Sequence, residues 1–257
     1  MKLKAPLVAV LLSCFVMHSE AVNSEVVDVS GHGQTTVIFE NGLGDDVSSW
    51  QYVAPEVSRF ATVMTYNRLV YSKQVTAQQI VDQLRTLLQK EHLNPPYILV
   101  GHSLGGLYLQ LFAREYPSQV AGMVLIDSMS PWQTQVDPLP SIAVPYYAEA
   151  NGIKLSQKEV LSAPPFPPIP LIVISATEHK LSATQYASSG EERQWATWQN
   201  QLAALTQHSQ HVSINTLHDV QNHAPWLVIA AIRQIVENRN CISNREENDH
   251  IIWVCSQ

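Results

Sequence analysis

Tyr97-Ile98-Leu99-Val100-Gly101-His102-Ser103-Leu104-Gly105-Gly106 is the stretch on which the fold turns. Its four opening apolar residues make a short strand buried on both faces, the kind found in parallel sheets. Asn94-Pro95-Pro96 stops the helix before it, because proline cannot continue the hydrogen-bond ladder. Behind it, residues 104–116 carry a helical pattern that ends at Pro117. A G-x-S-x-G pattern alone is a weak signal. Set between a buried strand and a helix, it describes a sharp elbow that lifts the Ser103 hydroxyl above the sheet. Glycines flank the serine because the turn leaves no room for side chains, and Gly106 serves close helix packing.

The same alternation continues in both directions. Residues 26–29 and 35–39 read as strands pairing around the turn at Gly31-His32-Gly33, and 48–59 as a helix opened by Ser48 or Ser49. Residues 61–66 are strand-like. Thr76-Ala77-Gln78-Gln79 has the form of a capping box, and Ile80, Leu84, Leu87 and Leu88 then recur on one helical face. Buried strands are expected at 120–126 and 171–175, a helix at about 191–207, a strand at 212–217 and a last helix at 226–238. Apolar strands alternating with helices predict an α/β fold, a mostly parallel twisted sheet with helices on both faces. Residues 128–168 break the rhythm. Rich in proline and aromatics (Trp132, Tyr146, Tyr147, Phe166), they read as a lid inserted after a strand end.

Composition narrows the classes. The 257 residues are 46% hydrophobic and only 14% charged, too apolar for a disordered chain. Length alone does not require a second domain. Fifteen Lys and Arg against 22 Asp and Glu give a net charge of −7 with no basic run, which argues against nucleic-acid binding. The first residues stand apart. Lys2 and Lys4 precede an uncharged, mostly apolar run of 13 residues, 5–17, too short for the about 20 that span a bilayer. With Ser19 and Ala21 placed for a cut, residues 1–21 read as a secretory signal peptide, and the mature domain as 22–257 beginning near Val22. A weaker reading makes Leu11-Leu12-Ser13-Cys14 a lipid-anchoring site on Cys14. Otherwise the protein is expected to be secreted or periplasmic, with no stable membrane span once the signal is removed. Export leaves Cys241 and Cys255 as an even pair, which an oxidising compartment favours joining as a disulfide that staples the polar tail 239–257.

Chemistry is expected at the elbow. A serine hydroxyl needs a base, and the oxyanion formed by its attack needs two fixed amide donors. Asn41-Gly42-Leu43-Gly44 follows the strand 35–39 as a glycine-rich turn, so the backbone N–H groups of Leu43 and Leu104 are the candidate donors.

Asn41-Gly42-Leu43-Gly44, then Gly101-His102-Ser103-Leu104-Gly105-Gly106, then a late histidine resembles the α/β-hydrolase superfamily over roughly residues 26 to 238. Members usually carry His-Gly where this chain has Asn41-Gly42, and often Asp-Arg-x-Gly where it has Asn67-Arg68-Leu69-Val70. The resemblance implies an α/β-hydrolase fold with a lid inserted after the sixth strand. It places the base after the last strand, several residues before a proline that opens the final helix. His218 matches, seven residues before Pro225; His223, in the same loop, is the second candidate. The usual acid slot follows strand 171–175, where the loop reads Ala176-Thr177-Glu178-His179-Lys180 without Asp. Asp127, at the end of strand 120–126, is preferred because some branches, haloalkane dehalogenases among them, draw their acid from that earlier strand. Glu178 is the alternative.

The resemblance therefore implies a serine hydrolase acting on a small or medium carboxylic ester, with Ser103, His218 and Asp127 as triad, and the signal-like N-terminus makes it a secreted one. The same triad serves lactone, amide or carbon–carbon bond hydrolysis, and a catalytically inactive binding protein is the rival of another class. Dehalogenation is disfavoured, since it needs an aspartate at position 103. Neither His218/His223 nor His208/His211 offers a zinc-ligand setting, and no metal or organic cofactor is expected.

Overall fold

The computed structural model describes residues 26–69, 73–134, 147–182, 185–237, 241–247 and 250–255. The expected signal segment, Cys14 and the start near Val22 lie outside these. Along the chain run β1 (Val27–Ser30), β2 (Thr36–Glu40), α1 (Ala54–Val57), β3 (Thr62–Tyr66), α2 (Ala77–Lys90), β4 (Tyr97–His102), α3 (Leu104–Glu115) and β5 (Val120–Ile126). There follow α4 (Tyr147–Ser162), β6 (Leu171–Glu178), β7 (Lys180–Ser182), β8 (Gln185–Tyr186), α5 (Ser189–Ala203), β9 (Ser209–Leu217), α6 (Val220–His223) and α7 (Pro225–Val236). A hairpin of β10 (Cys241–Glu247) and β11 (His250–Cys255) ends it.

Seven strands form one sheet in the order β1-β3-β2-β4-β5-β6-β9. All neighbours are parallel except β1 and β3. The period-2 alternation of a strand divides its side chains between two cores. On β2, Ile38 joins one core with residues of α2, α3, α4 and α5, while Val37 and Phe39 join the other with α1 and α7. Because both faces are covered, β2 and β4 are buried along their whole length, hence their unbroken apolar reading.

Several expectations shift. β1 does not pair with β2 around Gly31-His32-Gly33; it runs antiparallel beside β3, with Val27 opposite Tyr66. The glycine turn explains this. It lies against the backbone of Ser58 to Ala61, where a Cβ on Gly31 would stand 2.2 Å from the Ala61 carbonyl oxygen. The chain thus crosses the start of β3 before entering β2. The helix expected over 48–59 is two pieces, a 3₁₀ turn at Val47–Trp50 and α1. Asp46, not Ser48 or Ser49, caps the first by accepting the Ser48 amide. The capping box at Thr76 and Gln79 stands as expected, and a second at Ser188 and Glu191 opens α5 ahead of residue 191. β6 runs on to Glu178, so the expected loop after 175 is still strand. The strand before the insertion is the fifth in chain order among the described residues, not the sixth.

Of the inserted segment, α4 is described and is tied down. It packs so closely on the approach to α2 that a Cβ on Gly152 would stand 1.6 Å from the Val75 carbonyl oxygen. Its Ser156 Oγ and Glu159 Oε2 accept the Ala77 and Gln78 amides at 2.9 and 3.0 Å, two N–H groups that a helix start leaves without intrahelical partners. Among the described residues, no helix is long and apolar enough to cross a membrane.

Candidate active site

Ser103 stands between β4 and α3 at φ 50° and ψ −120°, backbone geometry that costs a non-glycine residue about 1–3 kcal/mol. Hydrogen bonds on both sides hold it there: its amide donates to Ile126 O at 3.0 Å, and its carbonyl accepts the Met129 amide at 2.9 Å. The elbow closes only without side chains. A Cβ on Gly101 would meet Gly106 Cα at 2.6 Å, and one on Gly105 would meet Asn41 O at 2.3 Å. This pressing together brings the 41–44 turn against the start of α3. Neither the Leu43 nor the Leu104 amide has an acceptor among the described residues. Leu104 is the first residue of α3, where the N–H is unpaired and the helix dipole favours negative charge.

The register of β4 on β5 pairs His102 with Ile126, which puts Asp127 one step further along, beside Ser103. Asp127 is wholly buried and itself held at φ 42°. Its Oδ2 lies 2.5 Å from His218 Nδ1 and 2.7 Å from His179 Nε2. Its Oδ1 accepts from Trp195 Nε1 at 2.7 Å and from the Ala176 amide at 3.0 Å. Burial pushes the Asp127 carboxyl up, but the hydrogen bonds of His179 and then His218 outweigh it and hold the group well below the ordinary carboxylate range. It is a carboxylate.

His218 is positioned from a second side as well. The His102 ring lies 4.7 Å from its ring, with Nε2 3.3 Å from its carbonyl oxygen and Nδ1 3.2 Å from Asp45 Oδ2. With Nδ1 engaged by Asp127, Nε2 is left open; neither it nor Ser103 Oγ makes a hydrogen bond among the described residues. Such contacts commonly tighten only when a ligand is bound.

A buried charge cluster fixes the 41–44 turn. Arg68 donates to Glu40 Oε1 at 2.7 Å, to the carbonyls of Asn41 and Gly42 at 2.6 Å each, and to both oxygens of Glu149 on α4 at 2.7 Å. Tyr66 donates to the remaining oxygen of Glu40, and Asn41 is held by Trp50 and the Tyr66 carbonyl. Burial opposes the charge on Arg68, yet Glu149 and then Glu40 raise its proton affinity well above normal. One guanidinium thus ties the inserted helix to the turn that carries Leu43.

Asp127, His179 and His218 are the one group of three His, Cys, Asp or Glu side chains among the described residues whose ligand atoms lie within 4.8 Å. Their oxygen–nitrogen separations of 2.5 and 2.7 Å are hydrogen-bond lengths. Ligands at about 2.1 Å around a tetrahedral zinc stand about 3.4 Å apart. The arrangement suits shared protons better than a metal ion.

A sequence model described as the alpha/beta hydrolase family matches residues 25–249. The chain belongs to that family. Among its relatives, the uncharacterized protein YqjL of Bacillus subtilis (strain 168) is 24% identical over 226 residues, 80% of this chain and 85% of that one. The strigolactone esterase RMS3 of Pisum sativum is 27% identical over 110 residues, 39% of this chain and 41% of that one. A thermophilic esterase from Thermogutta terrifontis superposes with a TM-score of 0.62 at 17% identity, covering 83% of this chain and 93% of that one. The last likeness is of fold. The α/β-hydrolase architecture expected from the elbow is therefore the architecture present.

Within this hydrolase fold the two candidate acids differ in setting. Glu178 closes β6 opposite Leu217, is exposed, and bonds to neither histidine among the described residues. His223 ends α6 and does not reach Asp127. Two neighbours of Asp127, His179 and Trp195, and Glu192 behind His179 are not marked by any pattern in the sequence. His179 follows Glu178 directly in the segment where the family's usual acid falls. Nothing in the pattern of α5 marks Trp195 or Glu192, whose roles arise from packing across the sheet edge. Arg68 is the residue of Asn67-Arg68-Leu69-Val70 that keeps the family's arginine, but its partners, 28 and 81 residues away, cannot be read from spacing.

Proposed function

We propose that the chain is an exported serine hydrolase that cleaves small or medium carboxylic esters through an acyl-enzyme on Ser103. The observation that carries this reading is the Asp127–His218 hydrogen bond, made at the sheet edge beside the strained Ser103 elbow. Ser103 Oγ attacks the ester carbonyl while His218 Nε2 takes its proton, and Asp127 keeps the Nδ1–H tautomer and stabilises the imidazolium. The Leu43 and Leu104 amides donate to the oxyanion. His218 then protonates the leaving alcohol, and a water activated by the same nitrogen releases the acid. The strigolactone esterase relative favours an ester among the bonds this triad can open.

A fluorophosphonate probe tests the nucleophile directly. Wild type should be labelled and Ser103→Ala not, with ester turnover lost by at least about a thousandfold. An unlabelled, folded wild type would favour the inactive binding protein instead. A series of p-nitrophenyl esters of rising chain length then reads the acyl pocket. Export carries with it a Cys241–Cys255 disulfide, supported by the hairpin register, in which the two residues are direct partners; their side chains lie outside the described residues. The intact mass of secreted protein checks both the start near Val22 and the absence of free thiols.

A further inference from the structure

The reaction proposed for Asp127 needs one histidine, and the carboxylate holds two. His179 Nε2 reaches the same Oδ2 as His218 Nδ1, at 2.7 against 2.5 Å. The far side of His179 is committed too, with Nδ1 2.7 Å from Glu192 Oε2 and its backbone amide donating to Glu192 Oε1 at 2.7 Å. A neutral imidazole has a single N–H, so only the imidazolium donates to both carboxylates at once. Burial works against that charge, but Asp127 and then Glu192 raise His179 above the ordinary histidine value. Its side chain is only 13% exposed, so solvent screens these contacts weakly.

We infer that His179, anchored by Glu192, is a positioning residue that competes with His218 for Asp127 Oδ2 and so sets how tightly His218 holds a proton. The inference rests on the serine-hydrolase reading of the site. Two effects act in the same direction. An oxygen shared between two charged donors stabilises each less than it would stabilise one alone. The charge on His179, its ring 5.8 Å from that of His218, also disfavours a second positive charge there. Together they keep His218 neutral, and able to accept the Ser103 proton, at lower pH than Asp127 alone would allow.

The other groups facing the pair are Trp195 from α5, His102 at the end of β4, Asp45 against His102, and Asp219 after β9, 3.8 Å from His102 Nε2. Trp195 carries no charge, and Asp45 and Asp219 are carboxylates set against His102, so none of the three supplies the positive charge that His179 does.

Two variants separate charge from shape. His179→Gln removes ring and charge. Glu192→Gln preserves the contacts, since the amide nitrogen can donate to Nδ1 and the amide oxygen still accepts from the His179 backbone; it removes only the carboxylate that favours the imidazolium. In each, the His218 ring is titrated by NMR and the acid limb of kcat/KM is measured on a p-nitrophenyl ester. The His218 midpoint and the acid limb should both move up, by about one pH unit in His179→Gln and by less in Glu192→Gln, as expected for a unit charge about 6 Å away in a partly solvated site. A midpoint unmoved or lowered in both variants, with activity reduced equally at every pH, would make His179 a packing residue and overturn the inference. If wild type shows no Ser103-dependent turnover, the hydrolase reading falls, and the NMR titration still decides the coupling.

Discussion

Asp127 Oδ2 and His218 Nδ1 stand 2.5 Å apart across 91 positions of sequence. They meet because β5 and β9 flank β6 in the sheet and all three run parallel, so their ends share one edge. At such carboxyl edges residues from distant segments converge.

That contact makes the carboxylate test sharp. Asp127→Asn should leave a folded protein whose His218 favours the wrong tautomer, with a loss of up to about 10⁴ in kcat. Glu178→Gln should stay within about tenfold of wild type, since its side chain is exposed and away from both histidines. Circular dichroism controls for folding, and one ester serves for all assays. The reverse ranking would assign the acid to β6.

Gly105→Ala should separate activity from stability in the elbow. Helical glycine to alanine ordinarily stabilises by about 0.5–1 kcal/mol. Here the new Cβ would lie 2.3 Å from Asn41 O and 2.5 Å from Glu40 O, backbone atoms that must move. Displacing the 41–44 turn by even about 1 Å should cost about a hundredfold in kcat. A fully active variant would show that the Leu43 amide does not need its present place.

Arg68→Met should be more damaging than Glu149→Gln. The first strands the fully buried Glu40 and frees two carbonyls, and removing one partner of a buried pair costs about 3–5 kcal/mol. The second keeps one acceptor oxygen for Arg68 and leaves Glu40 paired. Urea unfolding midpoints check the order; equal midpoints would mean that Glu40 does not depend on Arg68.

Stability should depend on pH through two groups of opposite sign. Asp127 is depressed, so its contribution is present above the unfolded value of about 3.9 and fades as pH falls below it. His179 is raised, so its contribution is complete below the unfolded value of about 6.5 and fades as pH rises through the higher folded value. The stability difference between wild type and His179→Gln should therefore be larger at pH 6 than at pH 9. A gap that widens with pH would contradict the charged state assigned to His179.

What the sequence determined by itself is what neighbouring residues can encode. The strand–elbow–helix at 97–116, the capping box at Thr76 and the unbroken apolar strands are local patterns, and each stands in the structure where the pattern put it. The pairing of β1 with β3 was not legible, because it depends on where a glycine turn finds room against residues 58–61. Asp127 and His218 could be nominated as partners through the family resemblance, but no local pattern separates Asp127 from Glu178 as the acid. Only the lateral order of β5, β6 and β9, with α5 packed against β6 and β9, brings Asp127, His179, Glu192, Trp195 and His218 into one hydrogen-bonded network. That order is set by burying both faces of the sheet at once, a condition on the whole chain that no short stretch of it carries.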